Sequence, residues 1–135
     1  MVRFKNRYLV IQVQWKGGRP PPGLNEPALL AEVRASLGEN FGDDGLGRAL
    51  GSLQVKFWEP KCSLLIVRCN RSDLREVWCA MTLLTDVRRV ACMFRVLRVC
   101  GTLRACQAHA REHVRGLLDA SEGAAVEGQI DSLEP

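Results

Sequence analysis

The residues of this sequence that could do chemistry are mainly arginines and lysines, and their spacing suits the binding of phosphates. Arg3, Lys5 and Arg7 alternate at the start of the chain, so an extended arm would project all three in one direction. A second group lies in or beside the predicted central strands and their connections: Arg68, Arg71, Arg88, Arg89, Arg95 and Arg98. Each group alone could also be an ordinary solvated surface, and only together do they favour a nucleic acid.

A third group lies on a predicted C-terminal helix. Arg104, Arg111 and Arg115 recur at intervals that place them on one helix face, opposite an apolar stripe. Gly101 is expected to end a strand and Thr102 to cap the helix, so the unpaired N–H groups of the first turn and the helix dipole favour a phosphate there. Arg104, one turn in, would add two parallel hydrogen bonds, which Lys cannot make. Since any capped helix offers such N–H groups, the junction is a weak signal by itself.

Charge is distributed unevenly along the chain. The first 115 residues hold 19 basic and 10 acidic residues, a net charge of about +9. The segment 119–135 is acidic, rich in Gly, Ala and Ser, and expected to be disordered; its acids are Asp119, Glu122, Glu127, Asp131 and Glu134. A basic body of this kind predicts a polyanionic partner, most simply a nucleic acid.

Other classes of site and compartment find little support. Six cysteines at irregular spacing include no CxxC pair, which favours reduced thiols in the cytosol or nucleus over a disulfide framework. Neither a secretory signal nor a membrane-spanning stretch is recognised, so no membrane association is expected. Cys106, His109 and His113 lie within reach of one another on one helix, but zinc needs four ligands, or three and a water, and the sequence has no second Cys/His pair at a useful spacing. A structural role is therefore expected for them.

No catalytic constellation is visible in the sequence. Paired carboxylates, a nucleophile with an adjacent base and a phosphate-binding loop are all missing from it. Two alternatives stay open beside nucleic-acid binding: a protein–protein adaptor, and a small enzyme of the acylphosphatase kind. The second requires an arginine-bearing phosphate loop after the first strand, of which Gly17-Gly18-Arg19-Pro20 is a poor version.

Hydrophobic periodicity predicts the elements that must position these side chains. They are a strand at 8–15, a helix begun by Asn25 with Pro27 in its first turn, a flexible loop at 38–51, a strand from Leu53 to near Pro60, a strand at 62–69, a helix capped by Ser72, a turn at Arg88 and Arg89, a strand at 92–99, and a helix at 102–118. This order predicts an α+β, ferredoxin-like (RRM-like) βαββαβ domain over residues 1–118. Its four-stranded antiparallel sheet carries two helices on one face, and an extra C-terminal helix follows.

The third predicted strand is apolar on both faces. Leu64 and Ile66 point to one side, and Leu65 and Val67 to the other, so the second face must be covered by the extra helix or by a partner protein. The strand also lacks aromatic residues, and Tyr8 is the only outward-facing aromatic of the first strand. Because the usual base-stacking platform is missing, RNA contacts would have to run through phosphates and shape.

Three segments carry a resemblance to a known family. They are residues 1–10 (Met-Val-Arg-Phe-Lys-Asn-Arg-Tyr-Leu-Val), residues 65–69 with Val77-Trp78, and residues 94–107, which include Gly-Thr-Leu-Arg-Ala-Cys-Gln. Together they resemble the ribonuclease P/MRP protein subunit of the "processing of precursors five" family. The resemblance covers roughly residues 1–15 and 53–118.

The resemblance implies a non-catalytic subunit of a ribonucleoprotein enzyme. Such a subunit supports a catalytic RNA that removes 5′ leaders from precursor tRNA or cleaves precursor rRNA, and the Mg²⁺ ions of catalysis are held by the RNA, with no cofactor on the protein. The implied partners are that RNA, precursor tRNA indirectly, and sibling subunits, including a heterodimer through the sheet or the C-terminal helix. The implied location is the nucleus and nucleolus.

Overall fold

The computed structural model describes residues 5–135 and shows an α+β chain. Within these residues there are five strands, four α-helices and one 3₁₀ turn, at Arg71–Asp73. The elements are β1 (Asn6–Trp15), α1 (Glu26–Leu50), β2 (Gln54–Glu59), β3 (Leu64–Asn70), α2 (Leu74–Thr82), β4 (Asp86–Val87), β5 (Val90–Cys100), α3 (Leu103–Leu117) and α4 (Ala120–Asp131).

The strands form one antiparallel sheet in the order β2-β3-β1-β5-β4. The four long strands are those predicted from the sequence, and β1 lies at the centre between β3 and β5. The prediction of four strands is nevertheless wrong by one, because β4 pairs with the start of β5 in a short hairpin. A two-residue strand is too short to produce a periodic pattern, so the sequence indicated only the turn.

One face of the sheet packs against α1 and α2. The side chains of Leu9, Ile11 and Val13 from β1 lie on this face, with Leu65 and Val67 from β3, and all five are buried. The α1 residues that pack on them recur at the spacing of one helix face and include Leu29, Val33 and Leu37. This is the first of two apolar cores.

The opposite face of the sheet packs against α3 and α4. Val10, Leu64 and Ile66 from the sheet meet Cys106, Ala110 and Val114 from α3, together with Val126 and Ile130 from α4. Of the two covers that the sequence left open, the extra helix or a partner protein, the structure shows the helix, joined by α4. The segment predicted to be disordered instead forms α4, because Val126 and Ile130 can be buried against the second face.

The glycine-rich segment predicted as a flexible loop is a continuation of α1. Asn25 caps the helix as predicted, accepting a hydrogen bond from Ala28 N at 2.9 Å. The helix is interrupted only at Gly42, whose φ of 71° suits glycine, and it then resumes. At Gly45 a Cβ would lie 2.6 Å from the Cβ of Phe41, so this glycine permits close packing across the interruption. These two glycines therefore serve a kinked helix and not a loop.

Three smaller predictions about the helices also differ from the structure. Ser72 lies in the 3₁₀ turn instead of capping α2, and the buried Asp73 occupies the cap position. Apolar spacing along α2 and α3 predicts that Trp78 and Leu117 are buried, but they are 43% and 52% exposed, while Val77 and Met81, at the same spacing, are buried. Each exposed residue lies at the margin of its stripe, where periodicity alone does not fix the burial.

The packing of α4 predicts a measurable contribution to stability. We expect Ile130→Ala to lower the free energy of unfolding by about 2–5 kcal/mol, because it removes a fully buried side chain from the second core. Gln129→Ala, at the neighbouring exposed position, is the matched control and should change stability by less than about 0.5 kcal/mol. Equal unfolding midpoints in denaturant for the two variants would show that α4 does not close this face.

Candidate nucleic-acid interface

Basic residues collect at the end of the sheet where β1 begins and where β3 and β5 end. The register pairs Asn6 with Asn70 and Tyr8 with Cys100, which brings the start of β1 beside the starts of the 3₁₀ turn and of α3. The backbone N–H of Arg71 donates to the carbonyl of Lys5 at 2.8 Å, which extends the pairing by one step. The topology thus joins two of the basic groups that lie far apart in the sequence.

A groove of about 550 Å³ opens at this end of the sheet. Its lining residues are Lys5, Asn6, Arg7, Tyr8, Gly101, Thr102, Leu103 and Pro135. The Arg7 guanidinium lies against Gly101, where an added Cβ would be 3.8 Å from Nη1, and Nη1 donates to the Asn6 carbonyl at 2.9 Å. An added Cβ would thus make only an ordinary contact with Arg7, and the backbone of Gly101 is not left-handed, so neither feature requires glycine at this position.

The start of α3 forms one wall of the groove. Thr102 caps the helix as predicted, its Oγ1 accepting a hydrogen bond from Ala105 N at 3.2 Å. The first turn of α3 contains no acidic residue, and Arg104 is exposed there. An unopposed helix N-terminus beside Arg7 and Lys5 concentrates positive potential at one point, which suits a phosphate group.

Tyr8 and Arg68 lie together on the second face of the sheet, near the groove. Tyr8 is only 4% exposed, and burial raises the pKa of its hydroxyl, an effect that nearby Arg68 partly offsets. The one outward-facing aromatic of the first strand is therefore a core residue that cannot stack on a base. Arg68 is half-buried, and its Nε has no hydrogen-bond partner among the described residues.

The remaining predicted residues lie apart from the groove. Arg95 and Arg98 are exposed on β5, on the α3 side of the sheet, where they pair with Gln12 and Val10 of β1. Arg88 and Arg89 form the tip of the β4–β5 hairpin, at the opposite end of the sheet. Arg3 lies outside the described residues.

The basic stripe on α3 is largely neutralised within the chain. Arg111 forms an ion pair with Asp131, and Arg115 forms one with Glu127, both from α4. Gln107 adds a hydrogen bond to the carbonyl of Ile130 at 3.0 Å. Of the three α3 arginines predicted to bind RNA, only Arg104 has no such acidic partner within residues 5–135.

The cysteine and histidine side chains of α3 have structural surroundings. Cys106 is fully buried, and burial raises the pKa of its thiol to about 12. Gln12 donates through Nε2 to the Cys62 carbonyl at 2.7 Å, so its Oε1 faces His113 Nε2, at 2.6 Å, and accepts a hydrogen bond from it. Among the described residues no group of His, Cys, Asp and Glu side chains could hold a metal ion. In the same part of the chain, no helix has the length and apolar character of a membrane span.

Comparison with known proteins identifies the family. The model of the Rpp14/Pop5 family matches residues 7–111. The chain is 36% identical to a probable ribonuclease P/MRP protein subunit POP5 of Arabidopsis thaliana, over 79% of this chain and 75% of that protein. It is 32% identical to the ribonuclease P/MRP protein subunit POP5 of Schizosaccharomyces pombe, over 83% and 87%. The chain belongs to the Rpp14/Pop5 family. The resemblance inferred from the sequence is thereby confirmed.

Two further similarities extend beyond these relatives. The chain is 35% identical to ribonuclease P protein component 2 of Thermococcus kodakarensis, over 76% of this chain and 80% of that protein. Its fold matches a chain in a cryo-EM structure of yeast ribonuclease MRP with a TM-score of 0.54, covering 77% and 79% of the two chains at 12% identity. The fold is thus recognisable even where little sequence identity remains.

Some groove and contact residues of this Rpp14/Pop5 chain were not predicted. Asn6 and Pro135 line the groove, and Gln12 connects β1 to α3. Pro135 comes close only because α4 folds back over the second face, which the sequence did not indicate. The sequence signal for Gln12 was a polar residue among apolar strand positions, and in the structure it belongs to a partly buried set of hydrogen bonds.

Substitutions at the start of α3 test the helix cap and the Arg104 charge separately. Thr102→Ala should lower the free energy of unfolding by about 1 kcal/mol, because the Ala105 N–H loses its acceptor, whereas Thr102→Ser should restore most of it. Arg104→Ala removes an exposed side chain and should stay within about 0.5 kcal/mol of the wild type. Denaturant unfolding measures all three. A large loss for Arg104→Ala would assign that side chain a structural role.

His113 predicts a dependence of stability on pH. Burial and nearby His109 lower the pKa of the His113 imidazole, so the folded chain binds a proton there less readily than the unfolded chain. This contribution to stability is fully present above the unfolded pKa of about 6.5 and is lost as the pH falls below it. Thermal unfolding between pH 7.5 and 5 should show the loss in wild type, somewhat less of it in His109→Gln because burial remains the larger cause, and least of it in His113→Gln. Identical profiles for the two variants would contradict this assignment.

Proposed function

We propose that this protein is a non-catalytic subunit of ribonuclease P and ribonuclease MRP that supports the catalytic RNA in tRNA 5′-leader removal and precursor rRNA processing. The observation that carries the proposal is the family match over residues 7–111, together with relatives named as ribonuclease P/MRP subunits. The order of the four long strands, β2-β3-β1-β5, supports a ferredoxin-like arrangement of the sheet. In this role the Mg²⁺ ions of catalysis belong to the RNA, and the protein acts in the nucleus and nucleolus.

The protein contributes charge and shape to the particle. The Lys5–Arg7 groove offers two cations and the N-terminus of α3 to an RNA backbone, while the buried Tyr8 offers no stacking surface. The exposed Arg71 lies outside the groove lining, and its backbone N–H donates to the Lys5 carbonyl. Phosphate contacts of this kind fix the position and shape of an RNA without reading its sequence. Such a protein stabilises the active RNA fold and leaves the chemistry to the RNA.

The heterodimer with a sibling subunit would use the outer faces of the helices. The central strands β1 and β3 are already covered on both faces within the chain, so a partner could not reach them without displacing a pair of helices. Trp78 and Leu83, at α2 and just beyond its end, are large apolar side chains that are 43% and 50% exposed. Burying them against a partner would release ordered water and favour association.

Two pairs of substitutions with the same charge change test where RNA binds. Lys5→Ala with Arg7→Ala removes two cations from the groove, and Arg111→Ala with Arg115→Ala removes two that are already ion-paired. In filter-binding titrations with a ribonuclease P RNA transcript, the first pair should lower the slope of log affinity against log salt by up to about two. The second pair should change it less, because its charges are neutralised within the chain.

The outcome separates the candidate functions. Equal slopes for the two pairs would mean that only overall charge matters and that the groove is not the contact. A wild-type protein with no salt-dependent binding would favour the protein–protein adaptor. Sequencing the RNA that copurifies with the tagged protein from its own cell tests the particle assignment directly, since recovery of neither ribonuclease P RNA nor ribonuclease MRP RNA would contradict it.

A further inference from the structure

The β4–β5 hairpin turns through two arginines in a backbone conformation that suits asparagine and glycine. Val87 pairs with Val90, so Arg88 and Arg89 are the central residues of a two-residue turn. Their φ angles are 49° and 67°, and positive φ at both positions defines a type I′ turn. Asn-Gly is the preferred pair there, because long side chains are disfavoured in the left-handed region. The chain therefore keeps a strained turn where an unstrained one is available.

Contacts within the chain explain one of the two arginines. Arg88 Nη1 donates to the carbonyl of Pro22 at 3.3 Å, which joins the hairpin to the loop that follows β1. Arg89 is exposed, and within residues 5–135 its side chain forms neither a hydrogen bond nor an ion pair. No packing contact among the described residues offsets the energetic cost of the strained Arg89 backbone.

The surroundings of the hairpin tip are basic. The N–H of Lys16 donates to the carbonyl of Ala91 at 2.9 Å, so the loop after β1 lies beside the base of the hairpin. Lys16 and Arg19 in that loop are both exposed, while the hairpin itself contributes one acid, Asp86. The tip and loop together present a surface with an excess of positive charge.

We infer that Arg89 binds a phosphate group of RNA and that the hairpin tip is a second RNA contact, separate from the Lys5–Arg7 groove. This inference rests on the proposed RNA-binding function. Arg89 is exposed at the tip of the hairpin, and a planar guanidinium can donate two parallel hydrogen bonds to a phosphate. The strained backbone is retained because the position serves binding, as strained residues at functional sites do.

The distance between the two contacts sets a minimum size for an RNA that binds both. The groove lies where the ten-residue β1 begins and the hairpin lies where it ends. At about 3.3 Å per residue the two are separated by roughly 30 Å. A folded RNA can place phosphates at both points, whereas an RNA stem of only a few base pairs cannot reach from one to the other.

One substitution separates strain from charge at this position. Arg89→Gly relieves the positive φ and removes the cation, while leaving Arg88 and its bond to Pro22 in place. We expect its melting temperature to rise by roughly 1–5 °C. Its salt slope with a ribonuclease P RNA transcript should fall by about one. Arg89→Lys is the matched control: it keeps the strain and the charge, so the melting temperature and slope should stay close to wild type, with weaker affinity because the fork is lost.

The results distinguish this inference from the proposed function. If Arg89→Gly keeps the wild-type slope while the Lys5 and Arg7 substitutions lower it, RNA binding stands and the hairpin contact is overturned. An unchanged melting temperature for Arg89→Gly would overturn the claim that strain is retained for binding. If wild type shows no salt-dependent binding to the transcript, the proposed function and the hairpin contact fail together.

Discussion

The structure depends on a central pair of strands that is apolar on both faces. In β1 and β3 alternate side chains enter two separate cores, with Leu9 and Val67 on one side and Val10 and Ile66 on the other. Leaving either face in water would expose a contiguous apolar surface of the kind that drives association. The chain therefore needs a cover on each side, and the positions of α1 and α2, and of α3 and α4, follow from that requirement.

Covering the second face decides how the protein can meet RNA. In an RNA-recognition domain that face stacks bases on aromatic side chains. Here α3 and α4 occupy it, and Tyr8 is buried beneath them. The accessible parts of the sheet are its two ends, where turns and a helix start display Lys and Arg, and the outer strand β5, where Arg95 and Arg98 are exposed. A phosphate-directed mode of recognition is thus a consequence of the packing.

Much of the fold could be predicted from periodicity, but two segments could not. Alternating or continuous apolar runs indicated the four long strands, and Asn25 and Thr102 marked two helix starts through side-chain hydrogen bonds that form as expected. The glycines between residues 38 and 51 indicated a loop, since composition does not reveal that Gly45 admits Phe41 across a kink. The basic residues of the candidate site could be predicted from the sequence. Their convergence around Lys5, Arg7 and Gly101 could not, because it depends on strand register.

The acidic C-terminal segment shows why charge patterns alone misassign a surface. Only two large apolar residues, Val126 and Ile130, hold α4 on the sheet, which is too weak a pattern to indicate a helix without knowledge of the open face. Once docked, α4 brings Glu127 and Asp131 beside Arg115 and Arg111. Exposed pairs of this kind add only about 0–1 kcal/mol each. Their larger effect is to cancel a basic stripe, so that uncancelled positive charge remains at the ends of the sheet, where β1 begins and where β4 turns into β5.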